Sequence, residues 1–256
     1  MAFGYKPMIS INELNQIKEI KKTSLYYAEK EYFQYIFLNA ISKYHEDFIF
    51  KGGTCLRICF GLERASEDLD FSTNQSLKNI RNIILSCVKN FDLLNISHEP
   101  YSEKKLKGNI RFEIRFKGPL FAGNKNSTNT LKIDFNRQKA INKEARVIQK
   151  IFSDVPQFII NTLPEKEILA EKIRTLINRS EPKDLYDLWV LFSKKTEIDK
   201  KLIKQKLKEE NSKYENLKYP SENEYKSVLK NLINFVPEYK QVFKEVSKEL
   251  DNIFKK

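Results

Sequence analysis

Lys51-Gly-Gly-Thr-Cys-Leu-Arg-Ile-Cys-Phe-Gly-Leu-Glu-Arg-Ala-Ser-Glu-Asp-Leu-Asp-Phe71 is the stretch on which the reading of this chain turns. Phe48-Ile49-Phe50, just before it, is a short apolar run that predicts a strand. Gly52-Gly53-Thr54 then reads as a turn, Cys55 to Phe60 as a short helix, and Ala65 to Ser72 as a second strand. Two glycines let a backbone approach a phosphate closely, and the amides of Thr54 and Cys55 at a helix start offer it donors. On an extended strand Asp68 and Asp70, at i and i+2, face one side with Cα atoms roughly 7 Å apart, so their carboxylates can converge on shared cations. Arg64 and Ser66 lie between the turn and the acids, placed to add a charge and a hydroxyl to a phosphate grip.

Downstream, Ile110, Phe112, Ile114 and Phe116 alternate strictly with Arg111, Glu113, Arg115 and Lys117, the signature of a half-buried strand. Gly118 to Asn129 forms a loop that turns the chain back into Thr130-Leu-Lys-Ile-Asp-Phe135, predicting a hairpin. On that second strand Ile133 and Phe135 face one side and Asp134 the other, so Asp134 is the candidate third acid; alone it also reads as a surface residue. Upstream, residues 10–45 read as helical, with Thr23 or Ser24 able to cap. Leu77 to Asn95 reads as an amphipathic helix with Ile80, Ile84, Cys87, Val88 and Phe91 inward.

After Pro156 the strand signals stop. Thr162-Leu-Pro-Glu165 reads as a capping box opening a helix with Ile168, Leu169, Ile173, Leu176 and Ile177 on one face. Leu185, Leu188, Trp189 and Phe192 mark a further buried face, and residues 200–256 read as Lys/Glu-rich helix. The expected organisation is therefore α+β: residues 1–155 form a mixed sheet flanked by helices, and residues 156–256 form a helical bundle. Taken alone, Asp184 and Asp187 read as exposed helix acids pairing with nearby lysines, and Lys172 as part of a solvated face.

Composition sets outer bounds. The chain has 256 residues, 41% of them apolar and 12% aromatic, enough to fill a core. It has no apolar run of about 18 residues, and its first twenty residues lack the pattern of a secretory leader, so a soluble, cytoplasmic protein with no membrane association is expected. Cys55, Cys59 and Cys87 form no CxxC pair, and His45 and His98 stand apart, which argues against structural zinc. Cys55 and Cys59 read as buried small hydrophobes. The net charge of +12 attracts polyanions, with nucleic acid a candidate partner; the same lysine excess also fits solvated helix faces in a Lys- and Asn-rich composition.

In order, strand, GGT, short helix, RxSxDLDF and LKIDF resemble the nucleotidyltransferases of the DNA polymerase β superfamily. More narrowly, KGGT with RASEDLDF, followed by Ile168-Leu-Ala-Glu-Lys-Ile173, Arg179 and Lys183-Asp-Leu-Tyr-Asp-Leu188, resembles the AbiEii/AbiGii toxin family over roughly residues 32–192. The resemblance implies a polymerase-β-like nucleotidyltransferase domain followed by a helical bundle. It implies Asp68, Asp70 and Asp134 as catalytic acids and metal ligands, two Mg²⁺ or Mn²⁺ ions and an NTP substrate. It further implies that Gly52, Gly53, Thr54 and Ser66 surround the nucleotide, that Lys172 reaches the triphosphate, and that Asp184 orients a basic partner or the acceptor. Lys183 departs from the Arg that often precedes this Asp, which removes bidentate contact there, and Cys55 stands where many relatives have Ala or Ser.

The function so implied is that of a bacterial toxin held by a cognate antitoxin, passing a nucleotidyl group to an acceptor for which RNA, and a tRNA 3′ end in particular, is the sharpest candidate. A basic nucleic-acid-binding protein with an idle site is the alternative from a different class. Nucleotidylation of a protein or small-molecule hydroxyl is the alternative within enzymes.

Overall fold

In the computed structural model, residues 8–106, 108–136 and 142–255 are described. Among them eight strands form one mixed sheet: β1 (Ile49–Lys51), β2 (Asp68–Ser72), β3 (Ser97–His98), β4 (Ser102–Leu106), β5 (Asn109–Lys117), β6 (Asn129–Asn136), β7 (Glu144–Ile148) and β8 (Phe158–Thr162). The order is β3-β5-β6-β2-β1-β8-β7, with β4 also paired to β5. β2 runs parallel to β6, and β1 parallel to β8; the other pairs are antiparallel. The chain separates into two compact units, one of Met1–Gly61 with Ala65–Leu163, the other of Leu62–Arg64 with Pro164–Lys256.

The first unit is the sheet with its helices. Alternation on β5 is realised: Ile110, Phe112, Ile114 and Phe116 are buried while their neighbours are half-buried. Facing rings from neighbouring strands pack into the core, with Phe71 and Phe135 5.5 Å apart and nearly parallel, and Phe48, Phe50 and Phe112 against them. Large rings bury much apolar area and fix their neighbours' positions, so this layer sets the height at which β2 and β6 lie side by side.

The long helical span expected over residues 10–45 is two helices, α1 (Ile11–Ile20) and α2 (Leu25–Ile41). Lys22 breaks it with a left-handed φ of 48°, and the Ser24 hydroxyl caps α2 by accepting from Tyr27 N–H. α2 packs on β6 and on α4 (Leu77–Asp92), which buries Ile80, Ile84, Cys87, Val88 and Phe91 as its sequence pattern predicts. α3 (Gly52–Phe60) starts at Gly52 rather than Cys55, and buries Cys55 while leaving Cys59 half-buried.

Four strands went unread in the sequence, β3 and β4 ahead of the alternating run and β7 and β8 on either side of Pro156. β8 lies beyond Pro156, where strand signals were expected to stop, and β7 pairs with it. β8 draws Thr162 into the sheet opposite Phe50, so Thr162 does not cap the next helix: α5 (Glu165–Arg179) begins after Pro164 with no side-chain cap. The expected Thr162–Glu165 capping box is therefore absent, because the hydroxyl sits in a strand and reaches the Glu144 carbonyl.

The second unit is helical: α5, α6 (Pro182–Ser193), α7 (Lys200–Glu209), α8 (Glu222–Leu229) and α9 (Tyr239–Phe254). α6 packs on α5, α8 and α9, and α7 on α5. Ile168, Leu169, Ile173, Leu176 and Ile177 are buried as expected, as are Leu185 and Leu188. Trp189 and Phe192 are only half-buried, and the Trp189 indole N–H donates to Glu245. None of the described helices is long and apolar enough to cross a membrane.

Candidate active site

Parallel pairing of β2 with β6 puts Asp70 directly opposite Asp134, and Asp68 opposite Lys132. The hairpin of β5 and β6 puts Arg111 opposite Asp134 from the other side. Arg111 grips Asp134 with two hydrogen bonds, Nε to Oδ1 at 2.9 Å and Nη2 to Oδ2 at 2.6 Å. The same Nη2 reaches Asp68 Oδ2 at 3.3 Å. Two carboxylates beside it, with Asp70 acting at longer range, push the guanidinium further up its already high range, the Asp134 hydrogen bonds first among the causes and partial burial opposing them.

Asp68 is penalised by burial. Its Oδ1 is buried and, among the described residues, has no hydrogen-bond partner. Burial raises its pKa, against the opposing pull of Lys132 and Arg111. Asp70 lies against the glycine turn: a Cβ on Gly52 would sit 2.4 Å from Asp70 Oδ2, and Gly52 has φ +77°. Only glycine allows both that backbone and that approach.

The turn and the strand are tied together from behind. The Thr54 hydroxyl hydrogen-bonds to the Asp68 carbonyl and lies 2.8 Å from the Ser66 hydroxyl. Gln34 of α2 donates to the Ser66 and Glu67 carbonyls at 2.9 and 3.2 Å. Thr54 and Ser66 thus fix the strand's entry and each other.

Two observations here fit a divalent cation: an acid oxygen buried without a partner, and a carboxylate seated against a glycine backbone. Asp68 and Asp70 are the residues that would hold it. Asp134 is engaged by Arg111, and among the described residues no three His, Cys, Asp or Glu side chains gather around one point as a metal centre. A Mg²⁺-like ion needs no more than one or two protein carboxylates when a bound polyphosphate and water supply its other ligands.

The remaining expected site residues lie in the helical unit, on one ionic network. Arg64 donates to Asp187 through Nε at 2.6 Å and Nη2 at 2.7 Å. Lys172 bridges Asp184 at 2.8 Å and Asp187 at 2.6 Å, and Arg179 reaches Asp184 at 3.1 Å. Asp184, Asp187, Arg64 and Lys172 are all buried. The reading of these acids as exposed and of Lys172 as solvated is corrected: α5 and α6 turn them toward one another. Burial opposes charge on Lys172, Arg64 and Asp184, but the partners win. Lys172 is raised by Asp184 and Asp187, Arg64 by Asp187, and Asp184 is lowered to about 2 by Lys172 and Arg179.

Within the sheet unit, then, the fold gathers Asp68, Asp70, Asp134, Gly52, Thr54 and Ser66, with Gly53 next to Gly52 in the first turn of α3. It gathers Arg64, Lys172 and Asp184 separately. Arg111 and Asp187 were missed as partners. The strand alternation already placed Arg111 on the polar face of β5; only the register of the hairpin, set across an eleven-residue connection from residue 118 to 128, reveals that it meets Asp134.

The profile of the family described as "Nucleotidyl transferase AbiEii toxin, Type IV TA system" matches residues 36–253. The chain belongs to the AbiEii nucleotidyltransferase toxin family. Members are toxins of toxin–antitoxin systems, and membership supports transferase activity. Among solved structures, MenT4, a nucleotidyltransferase toxin from Mycobacterium tuberculosis H37Rv, is similar with a TM-score of 0.70 at 18% identity, covering 94% of this chain and 89% of its own. JHP933 from Helicobacter pylori is similar with a TM-score of 0.59 at 19% identity, over 91% of this chain and 94% of its own. At such identities the likeness concerns the fold: a central mixed sheet flanked by helices. No curated protein sequence matches this chain.

Proposed function

We propose that this AbiEii-family chain transfers a nucleotidyl group from an NTP to a hydroxyl of RNA, with Asp68 and Asp70 holding Mg²⁺ or Mn²⁺. The observation that carries this reading is the pair of acids on β2, one with an unpartnered buried oxygen and the other seated on the Gly52 backbone. A buried acid oxygen left without a partner calls for an explanation, and a bound cation supplies one. The bound cation would neutralise charge on the triphosphate and on the departing pyrophosphate.

In the reaction, an acceptor hydroxyl oxygen forms a bond to the α-phosphorus and the bond to the bridging oxygen breaks. Pyrophosphate leaves, and the hydroxyl proton passes to water. Gly52, whose missing Cβ admits the Asp70 carboxylate, and Gly53 begin α3, where a phosphate would meet the first-turn amides as donors. Thr54 and Ser66 hold the turn and the acidic strand in fixed relation, so the acids need not reorganise as charge develops. For Arg64, Lys172 and Asp184 a nucleotide contact is proposed on the family resemblance, and their mutual ion pairs support a second task, keeping Lys172 charged within the helical unit.

RNA is favoured as acceptor by the +12 charge, which suits phosphate-mediated holding of a folded molecule such as tRNA. A cognate antitoxin is the expected protein partner, and the cytoplasm the expected site of action.

Incubating the protein with Mg²⁺, each labelled NTP in turn and total bacterial RNA, then resolving products on a denaturing gel, tests the reading. Label on an RNA band of tRNA size is the expected result. Label on protein or on a small product would move the acceptor; no transfer from any NTP, with RNA still bound and released by salt, would favour the idle-site alternative.

A further inference from the structure

Arg111 does more at the acidic strands than close a surface ion pair. It lies in register with Asp134, takes both of that carboxylate's oxygens, and reaches Asp68 with the same Nη2. Its side chain is about a quarter exposed, and the Asp134 side chain only 9%. A planar guanidinium held in a two-point fork keeps its orientation and cannot lose its charge at any ordinary pH. Among the described residues Nη1 joins neither pair, and so remains a donor for a phosphate oxygen.

Three acids on neighbouring strands would suit two divalent ions, as the sequence pattern suggests. Arg111 changes that count. A permanent cation already sits within hydrogen-bond distance of two of the three acids, so a second divalent ion placed there would meet a like charge and would have to share Asp134 with the fork.

We propose that Arg111 is the fixed cation of this site, standing where nucleotidyl transfer would otherwise draw on a second metal ion, so that the site takes one divalent ion, on Asp68 and Asp70. Asp134 is then a positioning residue that aims Arg111, rather than an open metal ligand. Arg111 contributes charge toward the transferring phosphoryl group without the loss and recapture of an ion at each turnover. The inference rests on the reading of Asp68 and Asp70 as the nucleotidyl-transfer site.

Counting Mn²⁺ tests it without reference to activity. The full chain is titrated with Mn²⁺ in the presence of an equimolar mixture of the four α,β-methylene nucleoside triphosphates, and bound ion per chain is read by electron paramagnetic resonance. Wild type is expected to bind one Mn²⁺ that Asp70→Asn loses, and Arg111→Gln is expected to bind two. Two ions in wild type overturn the proposal, as does a count of none, or a folded Arg111→Gln that binds no more than wild type. The wild-type count decides by itself should Arg111→Gln not fold. Asp70-dependent label transfer with any of these overturning counts would leave the enzymatic reading standing and remove only the role given to Arg111.

Discussion

On β2 and β6 three carboxylates lie together, Arg111 hydrogen-bonds two of them, and among the described residues a buried oxygen of Asp68 has no hydrogen-bond partner. On α5 and α6 two buried carboxylates, Asp184 and Asp187, are met by Lys172, Arg64 and Arg179, and each acid has at least two cations against it. Both regions put charge where water is scarce, yet among the described residues the first leaves a buried acid oxygen without a hydrogen bond, whereas in the second each acid is met by two cations. A satisfied network holds a structure; a buried acid oxygen left over calls for an explanation, and a bound cation supplies one. The two pKa directions say the same: Asp68 is raised, penalised for its charge, whereas Asp184 is lowered to about 2, supported in it.

Breaking the helical network should have the largest effect on stability. Lys172→Met leaves Asp184 with Arg179 alone and Asp187 with Arg64 alone, and breaking buried pairs by removing one partner costs about 3–5 kcal/mol. Urea unfolding should show that loss; a change under about 1 kcal/mol would mean that the network carries no more weight than surface ion pairs do.

A smaller effect is expected with pH. Because the folded-state pKa of Asp184 lies below its unfolded value, its contribution is present in full above about pH 4 and is lost as pH falls toward 2. Asp184→Asn should therefore lower stability at pH 7 by about 2 kcal/mol and flatten the acid limb of the stability curve between about pH 4 and 2. An unchanged acid limb would contradict the assignment.

Asp68 should behave in the opposite sense. Its folded pKa is raised by burial, so its charge costs stability as pH rises past the unfolded value, in full above the folded one, and protonation relieves it. Asp68→Asn should leave stability at pH 7 unchanged or slightly higher, within about 0.5 kcal/mol because the side chain is partly in water, while transfer activity is lost. Clear destabilisation by Asp68→Asn would erase the contrast between the two regions.

How much of this could be read from residues alone follows the range of the interactions. The period-two pattern of residues 110–117 fixed β5, and the helical spacing of Ile80, Ile84, Cys87, Val88 and Phe91 fixed the buried face of α4, because each is a local consequence of backbone geometry. Asp68, Asp70 and the Gly52 turn were legible for the same reason. β7 and β8 were not: Phe158–Thr162 is five residues between two prolines, and its parallel pairing with β1 is a contact across more than a hundred positions. The partners of Arg64 and Arg111 were hidden likewise. Asp187 lies 123 residues from Arg64, and no local pattern marks a helix acid as buried when the cations that permit burial come from elsewhere in the chain.

The most direct test of the account is the single-turnover rate of label transfer from the preferred NTP by wild type and Asp70→Asn, measured together with the thermal unfolding of both. The account predicts a fall of at least about 100-fold in rate, the scale expected when a charge-stabilising group is removed from a transfer site, with Tm essentially unchanged. A variant that transfers at the wild-type rate, with the same Tm, would contradict the placing of the chemistry on β2.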